Sequence, residues 1–269
     1  MCSNMGSRAA PAAVPAAATI TQPAPAPAQQ PAPAPAPAPA PAQQAPQRAQ
    51  GRTITQRDIP GLQRQMGQTG LEAGDPNAAP QNKVYVKTSK SFNINAYLRS
   101  DRTSIHDPSG NSQWEYLGYT TRDAARAVSQ IDAGMKPLPY AINLTRFVGG
   151  SALGAILGNP AINNSNVGRI IQSITTPAGA AKFKAALAAA NYTEKAYSST
   201  TYLQSHPSFD QRQLRFNIVA RKGTPAIATA NHAESEILIG RGVHYNFTGN
   251  FRVITTRTGV QQLVIDVEI

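Results

Sequence analysis

The chain has 269 residues, with 25 Lys and Arg against 14 Asp and Glu, a formal net charge of +11. Cys2 is the only cysteine, which excludes an intrachain disulfide and a thiolate metal site, and no apolar run is long enough for a transmembrane helix. The positive charge favours an anionic partner such as a dinucleotide, a nucleic acid or an acidic protein surface, and without a tight Lys/Arg cluster nucleic acid is the weakest of the three.

Residues 9–46 are almost entirely Ala, Pro and Gln, and Pro-Ala repeats without interruption from Pro31 to Ala42. Proline fixes φ and removes a donor, so neither helix nor sheet runs through such a segment; residues 1–52 are expected to be a disordered, polyproline-like leader. The leader carries Arg8, Arg48 and Arg52 and no acid, which leaves 22 basic and 14 acidic residues, a net +8, for the rest. It lacks the apolar stretch of an ordinary secretory signal. Residues 53–82 read as a linker with a short helix around Ile59 to Met66, Pro60 in its first turn. Residues 83–269 read as one folded domain, large enough for a proper core.

Lys83 to Lys87 alternates as a first strand or arm, Asn93 to Leu98 suits a short helix, and Asp107 to Asn111 is a turn. Thr120 or Thr121 caps a helix with Ala124, Ala125, Val128 and Ile131 at helical spacing, ended by Gly134. Tyr140 to Val148 has strand propensity, Gly149-Gly150 breaks it, and Ser151 is placed to cap a small helix from Ala152 to Leu157. Residues 161–174 read as a loop with one helical turn. Thr176 caps an Ala-rich helix through about Ala190, with Pro177 at its first position. From Lys195 the period switches to two. Strands are expected over Lys195 to Thr201, Gln213 to Ala220 and Ala226 to Thr229, with a turn at Lys222 to Pro225. A further strand starts near Glu236, and a long one starts at Val243. The last strand carries Leu263, Ile265, Val267 and Ile269 on one face. Helices before residue 195 and strands after it define an α+β class with mostly antiparallel sheets.

Four features carry chemistry. Glu234 and Glu236 stand one residue apart before the apolar run Ile237-Leu238-Ile239, and in an extended segment their carboxylates point to the same side. Such a pair repels, which couples its ionisation; a solvated pair at a strand end is the plain alternative. Arg146 ends an apolar strand, where its planar fork of donors suits a diphosphate or an acidic partner. Tyr197-Ser198-Ser199-Thr200-Thr201 is a hydroxyl-rich strand segment. Phe209 lies in the connection Leu203 to Arg212. His106, His206, His232 and His244 show no metal spacing.

The stretch Ala233 to Gly242 resembles the Glu-x-Glu motif of the arginine-directed mono-ADP-ribosyltransferases, with Glu234, Glu236, Leu238, Arg241 and Gly242 matching. Arg146 and the Tyr197 to Thr201 segment resemble that family's first and second motifs, in the right order. Phe147 follows the arginine where many relatives have Gly or Ala, and Thr201 stands for a serine. The resemblance implies two packed, mostly antiparallel β-sheets with flanking helices, and it favours a bulge over a hairpin at Gly249-Asn250. It implies NAD as co-substrate with no metal, and arginine on a host protein as acceptor. Glu236 is then the acid that holds the nicotinamide ribose, and Glu234 the one that prepares the acceptor. Arg146, Ser199, Thr200, Thr201 and Phe209 are the NAD-binding set. His232 lies in the target-recognition loop, where relatives often carry an aromatic residue. The Ala/Pro-rich leader resembles type III secreted effectors of plant-pathogenic bacteria of the XopAI kind, which implies secretion into the host cytoplasm and a secretion chaperone at the leader. Two other readings of the same residues are an NAD glycohydrolase and a non-enzymatic protein- or peptide-binding module.

Overall fold

The computed structural model describes residues 50–68, 85, 90–106, 118–229 and 234–269. The leader up to residue 49, the Asp107 to Asn111 turn, His232 and all of the Lys83 to Lys87 strand except Tyr85 lie outside them.

The folded unit begins earlier than the sequence suggests. Arg52 bridges Ile142 in parallel, and Ile54, Ile59, Leu62 and Met66 are each at most 5% exposed within the main core. The first helix, α1 (Ile59–Gln65), has Pro60 in its first turn as expected. The linker placed at 53–82 is therefore corrected over 53–68. The helix itself was expected there; what the polar neighbours hid is that its face at 59, 62 and 66 is buried in the main core. The side chains of Gln63 and Gln68 reach further, to the backbone of Ala226 and Ala228.

Five more α-helices follow among the described residues: α2 (Lys90–Arg99), α3 (Thr121–Gly134), α4 (Gly150–Ile156), α5 (Val167–Ser173) and α6 (Pro177–Ala189). A reciprocal capping box starts α3: Thr120 Oγ1 accepts from the Asp123 amide at 3.2 Å, and Asp123 Oδ2 accepts from the Thr120 amide at 3.1 Å. Its buried face is Ala124, Ala127, Val128 and Ile131, so Ala127 stands where the sequence pattern placed Ala125. Thr176 caps α6 as expected, accepting from the Gly179 amide. Ser151 caps nothing. Helix α4 starts two residues earlier than expected, at Gly150, where its N-terminus abuts the 163 loop; a Cβ on Gly150 would lie 2.5 Å from the Asn163 carbonyl oxygen. The expected loop over 161–174 contains α5, a seven-residue helix with only Val167 and Ile171 fully buried. So brief an i, i+4 signal beside Asn-rich sequence is easily read as loop.

The strands are β1 (Lys136–Pro137), β2 (Ile142–Val148), β3 (Tyr192–Glu194), β4 (Ser198–Thr201), β5 (Leu214–Ala220), β6 (Pro225–Ala228), β7 (Glu236–Ile239), β8 (Val243–Thr255) and β9 (Gln261–Glu268). They form one nine-stranded ladder in the order β1-β6-β7-β4-β2-β5-β9-β8-β3. All neighbours are antiparallel except β5 and β9. The expectation of two separate sheets is corrected to two halves joined at one point. β2 pairs with β5 along seven positions but with β4 only at Thr145 opposite Thr201. Of the strand read over Lys195 to Thr201 only β4 is extended in the sheet; β3 is a separate strand that ends at Glu194 and pairs with a different neighbour. The β8 pairing shifts register between Phe247 and Phe251, so the chain continues through Gly249 as one irregular strand rather than a hairpin.

Two apolar clusters hold the sheet. The larger contains Ile237 and Ile239 of β7 with residues of β2, β5 and β9; the smaller sets Leu238 and Tyr197 against α2 and α3. β7 is thus buried on both faces, as a short run without alternation requires.

Candidate active site

One cleft is lined by Arg146, Ser199, Thr200, Thr201, Phe209, Glu234 and Glu236, every site residue singled out in the sequence. Its origin is the weak junction of the ladder. Past Thr145, β2 leaves β4, and Arg146, Phe147 and Val148 line the opening across from Ser199 to Thr201. Alternation puts Arg146 on the face of Leu144 and Val148, and puts Glu236 with Leu238 on the opposite face. A continuous ladder would separate these faces; the split lets both residues reach one space. β2 does not neighbour the strand of Glu236, because β4, the strand of Ser199, stands between them.

The two glutamates are not presented by strand alternation. β7 begins at Glu236, Glu234 lies in a turn, and Ser235 between them has φ of 51°, in the left-handed region that non-glycine residues rarely adopt. Glu236 is 3% exposed. Its Oε1 accepts from Ser199 Oγ at 2.6 Å, a diagonal cross-strand contact since Ser199 faces Leu238, and its Oε2 lies 3.4 Å from Thr229 Oγ1. Burial, with the Glu234 charge adding to it, pushes the Glu236 carboxyl up to about 7, against the lowering effect of the Ser199 and Thr229 hydroxyls. The two threonine hydroxyls serve the backbone: Thr200 donates to the Ile237 carbonyl, and Thr201 accepts from the Leu203 amide. Tyr197 donates to Asp132, which Arg241 grips with Nε at 3.0 Å and Nη2 at 2.7 Å. Gly242, at φ of 72°, turns the chain so that its amide meets the Glu194 carbonyl. The motif's Arg-Gly ending thus braces the acid-bearing strand instead of lining the cleft.

Arg146 uses a single nitrogen for all its hydrogen bonds among the described residues. Nη1 donates to Glu194 Oε2 at 3.1 Å, Ser198 Oγ at 2.9 Å and Tyr245 OH at 2.9 Å. Arg99, at the end of α2, meets both oxygens of the same carboxylate at 3.3 Å. Burial would raise Glu194, but the charges of Arg146 and Arg99 outweigh it and hold the carboxyl at about 2. Arg212 lines the cleft too and has no acidic partner among the described residues; desolvation and the nearby Arg146 charge draw its pKa down. Tyr85 caps the pocket beside Asn95, its hydroxyl raised by burial and by the Glu236 charge. Phe209 lies near-parallel to Phe147, ring centroids 5.8 Å apart, with His206 at 4.8 Å.

Sequence reasoning missed Glu194, Arg99, Arg212 and Tyr85. A charged residue at a helix end or strand end is common enough that no spacing marks it. Only Arg212 had a signal, its place in the loop that carries Phe209.

This fold has counterparts. The family model described as ADP-ribosyltransferase exoenzyme matches residues 76–269, and the chain belongs to that family. Among curated proteins none is significantly similar in sequence. Similar solved structures include C3stau2 from S. aureus with NAD, at 18% identity and a TM-score of 0.55, covering 82% of this chain and 98% of that one. The Clostridium limosum C3 exoenzyme shares 18% identity at a TM-score of 0.53, covering 81% and 97%. Plx2a, an ADP-ribosyltransferase toxin from Paenibacillus larvae, shares 17% at 0.52, covering 78% and 96%. At these identities the likeness is one of fold. Among the described residues no cluster of metal-ligating side chains occurs and no helix is long and apolar enough to cross a membrane.

Proposed function

We propose that this protein transfers ADP-ribose from NAD to an arginine of a host protein, after secretion into the host cell through its Ala/Pro-rich leader. The observation that carries the reading is the polarity of the cleft. On one side of β4 stand Arg99, Arg146 and Arg212 against the single acid Glu194, with Lys195 of the same lining paired to Asp101, a net +2 that complements the two charges of a dinucleotide diphosphate. On the other side of β4 stand Glu234 and Glu236, suited to the cationic nicotinamide end. Family membership and a relative crystallised with NAD support the same choice.

In this reading Arg146, Arg99 and Arg212 anchor the diphosphate, and Phe209 supplies a face for the nicotinamide. Glu236, braced by Ser199, accepts the hydroxyl hydrogen of the nicotinamide ribose. It stabilises the positive charge that grows on the sugar as the glycosidic bond lengthens. Glu234, half-exposed at the turn, faces the incoming guanidinium, orients it and takes its proton as the new bond forms. Thr200 and Thr201 shape β4 through their backbone bonds. The test is a pair of variants assayed for NAD hydrolysis and for transfer to an arginine-containing acceptor. Glu236→Gln should abolish both activities, whereas Glu234→Gln should lose transfer and keep hydrolysis. Wild-type transfer to cysteine or asparagine but not to arginine would overturn the acceptor, and absence of any NAD binding would overturn the reading.

A further inference from the structure

Glu194 is a buried carboxylate that the reaction above does not consume. It lies on the edge strand β3 yet is 2% exposed. Its Oε1 accepts from Arg99 Nε and the Ala196 amide; its Oε2 accepts from Arg99 Nη2, Arg146 Nη1 and Tyr192 OH, all at 3.1–3.3 Å. Five donors exhaust the acceptor sites of one carboxylate. With its lone pairs filled and its carboxyl held at about 2, it is no proton acceptor.

A buried ion pair is a weak source of stability, since apolar packing of the same volume often does as well. The arrangement makes better sense by what it leaves unpaired. Two guanidinium groups share one negative charge, so the cluster keeps an excess positive charge although the Arg146 side chain is 11% exposed. Every bond of Arg146 falls on Nη1, and the residue lines the cleft with Nε and Nη2 unspent among the described residues. Arg99 lines the same cleft. An excess charge with spare, directed donors calls for an anion.

We propose that Glu194 is a positioning residue that clamps Arg146 and Arg99 side by side as one anion-binding fork, its ligand the diphosphate of the dinucleotide. This rests on the NAD reading above only for the identity of the dinucleotide. ADP, which has a terminal diphosphate and no nicotinamide, isolates the fork from the chemistry. Binding of ADP and turnover of NAD are to be measured for the wild type, Glu194→Gln, Arg99→Gln and the double variant. Glu194→Gln keeps the volume and loses the charge. It should weaken ADP binding on the order of 10-fold, the scale of a lost charge-assisted hydrogen bond, and raise the KM for NAD equally. The kcat at saturating NAD should stay within a few-fold, because Ser199 and Glu236 are untouched. The double variant should bind ADP no worse than the weaker single one, since both lesions undo the same fork. Unchanged ADP binding in Glu194→Gln, or fully additive losses in the double variant, would overturn the proposal. If Glu194→Gln fails to fold, Glu194→Asp keeps the charge but withdraws it by one methylene; it should weaken ADP binding several-fold, and undiminished binding counts against the clamp. A wild type that binds ADP but does not turn over NAD refutes the transferase reading alone, and the ADP measurements still decide the role of Glu194. A wild type that does not bind ADP overturns the clamp.

Discussion

Replacing Glu236 by Gln separates what the acid costs from what it does. Burial, with Glu234 nearby, raises its carboxyl from the usual 4.5 to about 7, a difference equivalent to about 3 kcal/mol. Below pH 4.5 both folded and unfolded chains hold the proton, and the group does not disfavour folding. As pH rises past 4.5 the unfolded chain ionises first, and folding must either keep the proton or bury a charge. Stability therefore falls across the window from about 4.5 to 7 and is lower by the full amount above it. Glu236→Gln is nearly isosteric, can still accept from Ser199 and has no charge to bury. It should be nearly neutral at pH 4.5 and more stable than wild type by about 3 kcal/mol at pH 8, a rise in melting temperature of about 6–12 °C for a domain of this size. The same variant should be inactive with NAD. Thermal and urea unfolding of both proteins at several pH values is the assay. A stability difference that does not change between pH 4.5 and 8 would refute the view that this carboxylate is a buried, strained charge.

Arg146→Lys keeps a charge but loses the directed donors, so NAD affinity should drop about 10- to 150-fold by titration calorimetry, and binding as tight as wild type would show that Arg146 does not hold the ligand. Ser199→Ala removes the 2.6 Å brace on Glu236; kcat should fall while KM changes little, and the acid limb of the pH–rate profile should move to higher pH, because the hydroxyl lowers that carboxyl. A chain beginning at Gly51 should match the full chain in thermal stability to within a few degrees. One beginning at Thr69 loses four buried apolar side chains, Ile54, Ile59, Leu62 and Met66, each contributing about 1.5–3 kcal/mol, and should not fold; a cooperative melt of that shorter chain would show that the segment is dispensable.

Glu236 and its Ser199 brace were legible because each lies in a patterned stretch of its own. Glu234-Ser235-Glu236 precedes a β-branched run, and the hydroxyl strand carries a recognisable pattern. How the acids are held was not legible: nothing about Ser235 announces a left-handed conformation, and alternation alone would have aimed both carboxylates identically. The α+β class followed from the switch of period near Lys195. The junction at Thr145 and Thr201 did not, since a single register pair is decided by tertiary packing rather than by local preference. Glu194 was hidden for a related reason. Its three-residue strand is too short to show a period, and its arginine partners lie 48 and 95 residues away.

Gln63 and Gln68 bear on a different property, how this sheet ends. β1 covers β6 only at Pro225 and Ala226, so the outward amide of Ala228 and the carbonyls of Ala226 and Ala228 would otherwise be open to another strand. Gln68 closes that row with its side-chain amide: Oε1 accepts from the Ala228 amide at 3.1 Å and Nε2 donates to the Ala226 carbonyl at 2.9 Å, while Gln63 Nε2 donates to the Ala228 carbonyl at 2.9 Å. A primary amide has the donor and acceptor of a peptide group but no chain running on from it, so it occupies the edge without offering a new one. Such a terminator protects against edge-to-edge association between copies. Gln68→Leu would leave the Ala228 amide and the Ala226 carbonyl bare, and the protein would then carry a strand edge open to self-association even while its cleft remained intact.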